Sequence, residues 1–158
     1  MKIGILSDTH GNLSLAREAL KEMGKIDLLF HGGDYYTDAC QLAEEFNVNV
    51  KTVVGNCDFF VSGPKEEILT LGDYKIFLTH GHQYGVKGSL QRLFYRAEEI
   101  QADIVVYGHT HIPLYSVEDS IHFINPGSIS LPRGDSRPSY GILMLGDEVK
   151  FDLREIVK

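Results

Sequence analysis

The sequence has few cysteines and no cluster of basic residues. Only Cys40 and Cys57 are present, and they form no CxxC pair, so reduced thiols are expected rather than a disulfide framework. Lysine and arginine number 15 against 22 aspartates and glutamates, which gives a net charge of -7. Non-specific nucleic-acid binding depends on clustered positive charge, so this composition excludes a general nucleic-acid surface.

Long apolar runs are also missing. No stretch approaches the roughly 20 residues that a membrane helix requires, and the N-terminal run is interrupted at Ser7 and Asp8, too soon for a signal peptide. We therefore expect a cytoplasmic protein without membrane association. The chain shows no repeat, linker or low-complexity tract, and 43% hydrophobic and 23% charged residues predict one domain over residues 1–158.

The first third of the chain alternates short strands with amphipathic helices. The predicted elements, in order, are a strand at 2–7, a helix at 13–23, a strand at 27–30, a helix at 38–46 and a strand at 48–54. Asn12 is predicted to cap the first helix and Gly24 to end it. Each strand runs into a polar loop, which is where open α/β sheets place their chemistry.

The rest of the chain is mostly strands. A hairpin is predicted around Gly72 and Asp73, and Ser89 is predicted to cap a helix that ends near Ile100. Further strands are predicted at 104–107, 114–117, 121–124, 140–145 and 149–153. Parallel βα units followed by hairpins predict an α/β fold with two packed sheets and helices outside.

Side chains that can bind a metal follow five of the predicted strands. They are Asp8 and His10, Asp34, Asn56, His80, and His109 with His111. Oxygen ligands mixed with imidazole suit Mn, Fe, Zn, Ni or Co. One ion needs four to six ligands, so this larger set predicts two ions that share a carboxylate, as in hydrolytic two-metal sites.

These segments, in this order, resemble the calcineurin-like metallophosphoesterase superfamily. The match consists of Asp8-x-His10, Gly33-Asp34, Gly55-Asn56-x-Asp58, His80 beside Gly81-His82, and Gly108-His109-x-His111, and it resembles the small bacterial and archaeal phosphodiesterases most. The resemblance implies a four-layer α/β/β/α sandwich of two mixed sheets flanked by helices.

The same resemblance implies roles for the ligands. Asp8, His10 and His111 would hold one divalent ion, Asn56, His80 and His109 the second, and Asp34 would bridge them; Asn56 is also assigned to the catalytic set. The implied activity is a two-metal phosphodiesterase that hydrolyses a small phosphodiester by in-line attack of a metal-bridging hydroxide. Manganese is the first expectation, with Ni, Co, Fe, Zn and Mg as alternatives.

One position departs from the family pattern. Cys57 stands where the family has a histidine that protonates the leaving group, and a thiol with a pKa of about 8.5 is a poorer acid than an imidazole near 6.5. Either His82 takes this role, or the protein prefers leaving groups that depart without being protonated. The non-catalytic alternatives are that His82 orients a metal ligand and that Cys57 fills space in the core. We expect turnover to fall steeply as the leaving-group pKa rises.

Candidate substrate residues lie beside the ligand segments. Arg133 either meets a phosphate or belongs to an exposed turn, and Tyr35 and Phe59 either line a substrate cleft or cap the core. Asp58 is expected to orient its loop, and His31 to end its strand.

Two other functions are compatible with the same fold. A phosphomonoesterase is less favoured, because the segment after Asp34 lacks the arginine with which related enzymes grip a terminal phosphate. A non-enzymatic scaffold, resembling the retromer subunit of this fold, would have no need for a full ligand set. A homo-oligomer is left open.

Overall fold

The computed structural model describes residues 1–157, which contain ten strands and three α-helices. In chain order these are β1 (Lys2–Leu6), α1 (Ser14–Met23), β2 (Leu28–His31), α2 (Tyr36–Phe46), β3 (Val50–Thr52), β4 (Glu66–Leu71), β5 (Tyr74–Thr79), α3 (Gln91–Glu99), β6 (Ile104–Val106), β7 (Leu114–Glu118), β8 (Ile121–Asn125), β9 (Ser139–Leu145) and β10 (Val149–Glu155). A 3₁₀ turn at His82–Tyr84 precedes α3.

The strands form two mixed sheets of five. The first has the order β10-β9-β1-β2-β3, in which β1, β2 and β3 are parallel and β9 is antiparallel to β1 and β10. The second has the order β4-β5-β6-β8-β7, with β5, β6 and β8 parallel. Parallel neighbours end at the same edge, so each sheet collects several loops there.

Alternating side chains build the four layers. Ile3 and Ile5 of β1 pack against Ile76 and Leu78 of β5 in the core between the sheets. Phe77, the residue between those two, faces α3 instead. Leu6 packs in the core beneath α1 and α2. Because neighbouring strand residues point to opposite faces, both sheets are buried on two sides. The predicted α/β/β/α sandwich is confirmed.

Two predicted helix starts were wrong. Leu13, not Asn12, is the residue before α1, and the Asn12 side chain instead accepts the Ser14 N–H at 3.3 Å. The second helix begins at Tyr36, two residues before the predicted position, after a left-handed Tyr35 with φ of 73°. Gly24 ends α1 as predicted.

The third strand is shorter than predicted. It ends at Thr52, because the Val54 N–H donates to the Pro64 carbonyl at 2.8 Å instead of joining the sheet. Similarly, Ser89 accepts the Gln91 N–H at 3.0 Å, as a capping residue would, but the residue before α3 is Leu90. Among residues 1–157, no helix has the length and hydropathy needed to cross a membrane.

Candidate metal centre

The predicted ligands follow the carboxyl ends of five strands that meet in space. Asp8 and His10 follow β1, Asp34 follows β2, Asn56 follows β3, His80 follows β5, and His109 and His111 follow β6. The first three strands are parallel neighbours in one sheet, and β5 and β6 are parallel neighbours in the other. The two sheets therefore present their ligands at a common end of the sandwich.

Left-handed backbone is concentrated at these ligands. Five of the seven have positive φ: Asp8 (55°), His10 (47°), Asp34 (55°), His109 (69°) and His111 (60°). Such conformations are uncommon outside glycine, persist only where the surrounding structure enforces them, and cluster at functional sites. The fold therefore holds these residues in unfavourable backbone conformations that orient their side chains towards one another.

Four ligands form a first group. Potential ligand atoms of Asp8, His10, Asp34 and His111 all lie within 4.8 Å of one another. The His10 and His111 Nε2 atoms are 3.3 Å apart, and His111 Nε2 lies 3.2 Å from Asp8 Oδ1. His10 Nε2 lies 3.6 Å from Asp34 Oδ2.

Asp34 also belongs to a second group, with His80 and His109. Its Oδ2 lies 3.4 Å from His80 Nε2. Asn56 reaches the same place, since its Oδ1 lies 3.0 Å from His80 Nε2. The structure thus brings all seven predicted ligands together and gives one carboxylate to both groups.

Hydrogen bonds orient two of the imidazoles. His80 Nδ1 lies 2.7 Å from the Gly32 carbonyl oxygen and His111 Nδ1 lies 2.6 Å from that of Leu131. A carbonyl only accepts, so Nδ1 carries the proton and donates in both cases. The Nε2 atom that faces the carboxylates is then free to bind a metal, which is the usual arrangement in metal sites.

Asp8 offers a cation a buried oxygen atom. Its side chain is buried, and Oδ2 accepts the Ser7 hydroxyl at 2.5 Å and the His109 N–H at 3.2 Å. Oδ1 has no hydrogen-bond donor among the described residues. A buried anionic oxygen without a partner is costly, and a divalent cation supplies one. The mixture of carboxylate, amide and imidazole donors also suits such an ion.

The protonation states of three ligands favour metal binding. Burial lowers the pKa of His10, and burial together with the positive charges of His80 and Lys87 lowers the pKa of His109 to about 4. Burial alone would raise the pKa of Asp34, but His80 and the Cys57 N–H, which donates at 2.9 Å, hold it below its usual range. Burial alone would lower the pKa of His80, but Asp34 and Asp8 raise it, so His80 gives up a proton when a metal binds.

Two glycines allow the loops to approach so closely. A Cβ at Gly108 would lie 2.1 Å from Ser7 Oγ and 2.6 Å from Asp8 Oδ2. At Gly55 it would lie 2.1 Å from Asp34 Oδ1. Any side chain at either position would displace a carboxylate.

His31 has a role that the sequence did not reveal. It ends β2 as predicted, but it is fully buried, and burial lowers its pKa to about 4. Its Nδ1 accepts the Gly33 N–H at 3.2 Å, which leaves Nε2 to donate to Thr9 Oγ1 at 3.1 Å. His31 therefore ties the loop of Asp8 to the loop of Asp34. The only signal in the sequence was its position beside Gly32-Gly33-Asp34.

Serines from the loop after β8 fix the same region. The Ser128 and Ser130 hydroxyls donate to the Asp8 carbonyl oxygen at 2.8 and 3.0 Å. Asp58 accepts the N–H groups of Tyr36 and Gly55, each at 2.7 Å, so it joins the start of α2 to the Asn56 loop. This geometry agrees with the expected orienting role of Asp58.

The candidate proton donors differ in their surroundings. Burial and the negative charge of Asp34 raise the pKa of the Cys57 thiol to about 11. His82 packs its ring 5.3 Å from that of His80 and 6.0 Å from that of His109, and burial lowers its pKa. His82 Nδ1 is buried and has no hydrogen-bond partner within residues 1–157.

Two of the three predicted substrate residues, Tyr35 and Arg133, contact ligand residues. The Tyr35 ring is 5.4 Å from the His10 ring, and Tyr35 is partly exposed. Phe59 is 72% exposed, so it does not cap the core. Arg133 has an exposed side chain, and its backbone N–H donates to the His111 carbonyl at 3.1 Å.

Comparison with known proteins identifies the family. The model of the calcineurin-like phosphoesterase superfamily domain matches residues 1–148. The chain belongs to this superfamily. The probable metallophosphoesterase YsnB of Bacillus subtilis is 41% identical over 149 residues, covering 94% of this chain and 86% of YsnB. The phosphodiesterase YfcE of Escherichia coli K12 is 33% identical over 169 residues, covering 90% of this chain and 87% of YfcE.

Solved structures agree with the calcineurin-like assignment. An uncharacterized Streptococcus pneumoniae protein, described as a predicted phosphoesterase, superposes with a TM-score of 0.82 and 35% identity over 96% of this chain and 87% of its own. Vps29 of Entamoeba histolytica, in complex with zinc, has a TM-score of 0.78 at 23% identity, covering 98% of each chain. The latter likeness shows the fold alone. The family and its intact ligand groups make the chain a metal-dependent phosphoric ester hydrolase, as the sequence predicted.

Proposed function

We propose that this hydrolase cleaves a small phosphodiester at a centre that holds two divalent cations. The observation that carries the proposal is the position of Asp34, whose carboxylate lies within ligand distance of both groups of side chains. Asp8, His10 and His111 would complete one ion's ligands, and Asn56, His80 and His109 the other's. Manganese is the proposed metal, because carboxylate and imidazole donors dominate and no thiolate takes part.

The cations supply two things when bound: they lower the pKa of water from about 15.7 towards about 7 and neutralise phosphate oxygens. The chain supplies orientation. Ser7, Ser128 and Ser130 fix the Asp8 carboxylate and backbone, and the Gly32 and Leu131 carbonyls aim His80 and His111. Catalysis of phosphoryl transfer depends mainly on such positioning and on electrostatic stabilisation.

His82 is the proposed donor of the leaving-group proton. Its ring lies beside those of the ligands His80 and His109. Cys57 is disfavoured, because a thiol with a pKa of about 11 releases its proton poorly at neutral pH. Tyr35 and Phe59 are proposed to contact the substrate, since both are exposed beside ligand loops.

A diester is favoured over a monoester for two reasons. The segment from Asp34 to Ala39 carries no arginine that would grip a terminal phosphate. In addition, one of the similar proteins, at 33% identity, is named a phosphodiesterase. A non-enzymatic scaffold is the alternative function: the likeness to Vps29 extends only to the fold, and that protein is itself described in complex with zinc, so the hydrolysis experiment decides between the two. Cytoplasmic location remains a prediction.

The experiment compares two aryl esters. Protein loaded with Mn²⁺ should hydrolyse bis(4-nitrophenyl) phosphate with a higher kcat/KM than 4-nitrophenyl phosphate. Asp34→Asn should lose at least about 10²-fold in kcat, since it removes the charge that both cations share. Asp73→Asn, in the β4–β5 turn, is the matched control and should leave both rates unchanged. Hydrolysis untouched by Asp34→Asn, or absent with Mn, Ni and Co alike, would overturn the enzyme assignment; preference for the monoester would make it a phosphomonoesterase.

A further inference from the structure

A cavity of about 390 Å³ lies beside the loop that carries His109 and His111. This volume lies within the roughly 300–1,000 Å³ of small-molecule sites. Apolar side chains form most of its lining, from the segment before α3 and from the segment entering β7; they include Val86, Leu90, Tyr107, Ile112, Pro113 and Leu114. Lys87 and Arg133 also line it. We call it the Lys87–Arg133 pocket.

Its charge sets this pocket apart. Four other surface cavities among the described residues each include at least one carboxylate: Asp147 and Glu148 in one, Asp27 and Glu44 in another, Asp73 in a third, and Glu118 and Asp119 in a fourth. The Lys87–Arg133 pocket has two cationic side chains and no acidic one. In a chain with a net charge of -7, this pocket attracts an anion.

The two cations also keep their charges available. Within residues 1–157, the arginines that form ion pairs with carboxylates are Arg17, Arg96 and Arg154. Lys87 and Arg133 are exposed and take part in none of these pairs. A bound anion therefore does not have to displace an internal partner.

The pocket adjoins the loop that carries two of the metal ligands. Thr110, which lies between the ligands His109 and His111, is part of its lining. Arg133 is joined to His111 by a backbone hydrogen bond of 3.1 Å. Because one loop serves both the pocket and the centre, an organic group of the phosphodiester is the ligand that this position favours.

We propose that the Lys87–Arg133 pocket binds one organic group of the phosphodiester substrate, and that this group is aromatic and carries its own negative charge. The apolar lining takes the ring, and Lys87 and Arg133 pair with the charge, the guanidinium in a bidentate manner. The proposal rests on the proposed function, since it names the substrate class of the same centre.

The first test compares bis(4-nitrophenyl) phosphate with 4-nitrophenyl 3-carboxyphenyl phosphate, with release of both phenols followed by liquid chromatography. The native protein should prefer the carboxylated diester. The double variant Lys87→Gln/Arg133→Gln should reduce the ratio of kcat/KM, carboxylated over neutral, by about tenfold or more, because charge-assisted hydrogen bonds are lost. Lys87→Arg/Arg133→Lys should retain most of the preference, and Lys150→Gln should not change it.

The second test needs no metal. In protein treated with EDTA, 1-naphthalenesulfonate should shift the backbone NMR signals of Leu90, Thr110 and Leu114, and the glutamine double variant should bind it about tenfold more weakly. An unchanged kcat/KM ratio in that variant, or unchanged binding of the sulfonate, would contradict the proposal that this pocket binds an anionic aromatic group. If the metal-loaded native protein hydrolyses neither diester, the proposed function fails, and the NMR titration alone decides the pocket.

Discussion

The Nε2 atoms of His10 and His111 lie 3.3 Å apart, although the residues are 101 positions apart in the chain. Because His111 donates through Nδ1 to the Leu131 carbonyl, its Nε2 presents a lone pair to His10 and to Asp8 Oδ1, 3.2 Å away. At that distance the His111 lone pair and the Asp8 carboxylate oxygen, both acceptors, repel one another. A cation bound among them removes this repulsion and stabilises the fold.

Metal binding should therefore raise the melting temperature. At a Mn²⁺ concentration of about 100 times Kd, we expect a rise of roughly 5–10 °C relative to EDTA-treated protein, measured by differential scanning calorimetry. His10→Gln should lose most of this rise. His122→Gln is the matched control, because His122 stacks on Tyr115 and bonds its hydroxyl at 2.8 Å, and it should keep the rise. An equal rise in His10→Gln would contradict the account.

Gly108→Ala should damage the centre without a change in any ligand. Its Cβ would lie 2.6 Å from Asp8 Oδ2, so the carboxylate must move, and metal affinity should fall about tenfold or more. Crowding should also cost about 1–3 kcal/mol of stability. Isothermal titration with Mn²⁺ measures the affinity, and chemical denaturation the stability. Gly146→Ala, where a Cβ meets nothing within 4 Å, is the control; equal affinities in the two variants would show that the close approach is unimportant.

The leaving-group dependence should change when a histidine replaces Cys57. In the native protein, kcat/KM for a series of aryl phosphodiesters should fall steeply as the pKa of the phenol rises. Burial lowers the pKa of His82, so little of this imidazole carries a proton to donate, and the Cys57 thiol, with its pKa of about 11, is a weak acid. Cys57→His should flatten the dependence of kcat/KM on the leaving-group pKa, because it supplies an acid with a pKa of about 6.5. Cys40→His, on α2, should keep the native slope. A native slope that is already flat would show that the proton donor is complete without residue 57.

The layers of the fold were predictable because the spacing of hydrophobic residues along the chain reflects which side chains are buried. In β5, Ile76 and Leu78 face the core between the sheets, and Phe77 faces the opposite side. In α3, Leu93 and Ala97 lie on the buried face that packs against Phe77. The helix starts were predicted less well. At α2 the start depends on the left-handed Tyr35, which no propensity indicates.

The candidate ligands were also predictable from the sequence, since each follows a strand end. The sequence could not give the contacts that aim them. The Gly32 carbonyl on His80 and the Ser128 hydroxyl on Asp8 come from residues distant in the chain. His31 was missed as a link between loops for the same reason: its partner Thr9 belongs to another strand end. The Lys87–Arg133 pocket also depends on segments that meet only in the fold.

The proposed function depends on Asp34 joining two metal ions. Electron paramagnetic resonance of Mn²⁺-loaded protein tests this, with the metal content of the same sample measured by mass spectrometry. We expect two Mn²⁺ per chain and a spin-coupled signal, which Asp34→Asn abolishes and Asp73→Asn preserves, because among residues 1–157 only Asp34 lies in both ligand groups. One Mn²⁺ per chain with an uncoupled signal, unchanged in Asp34→Asn, would contradict it.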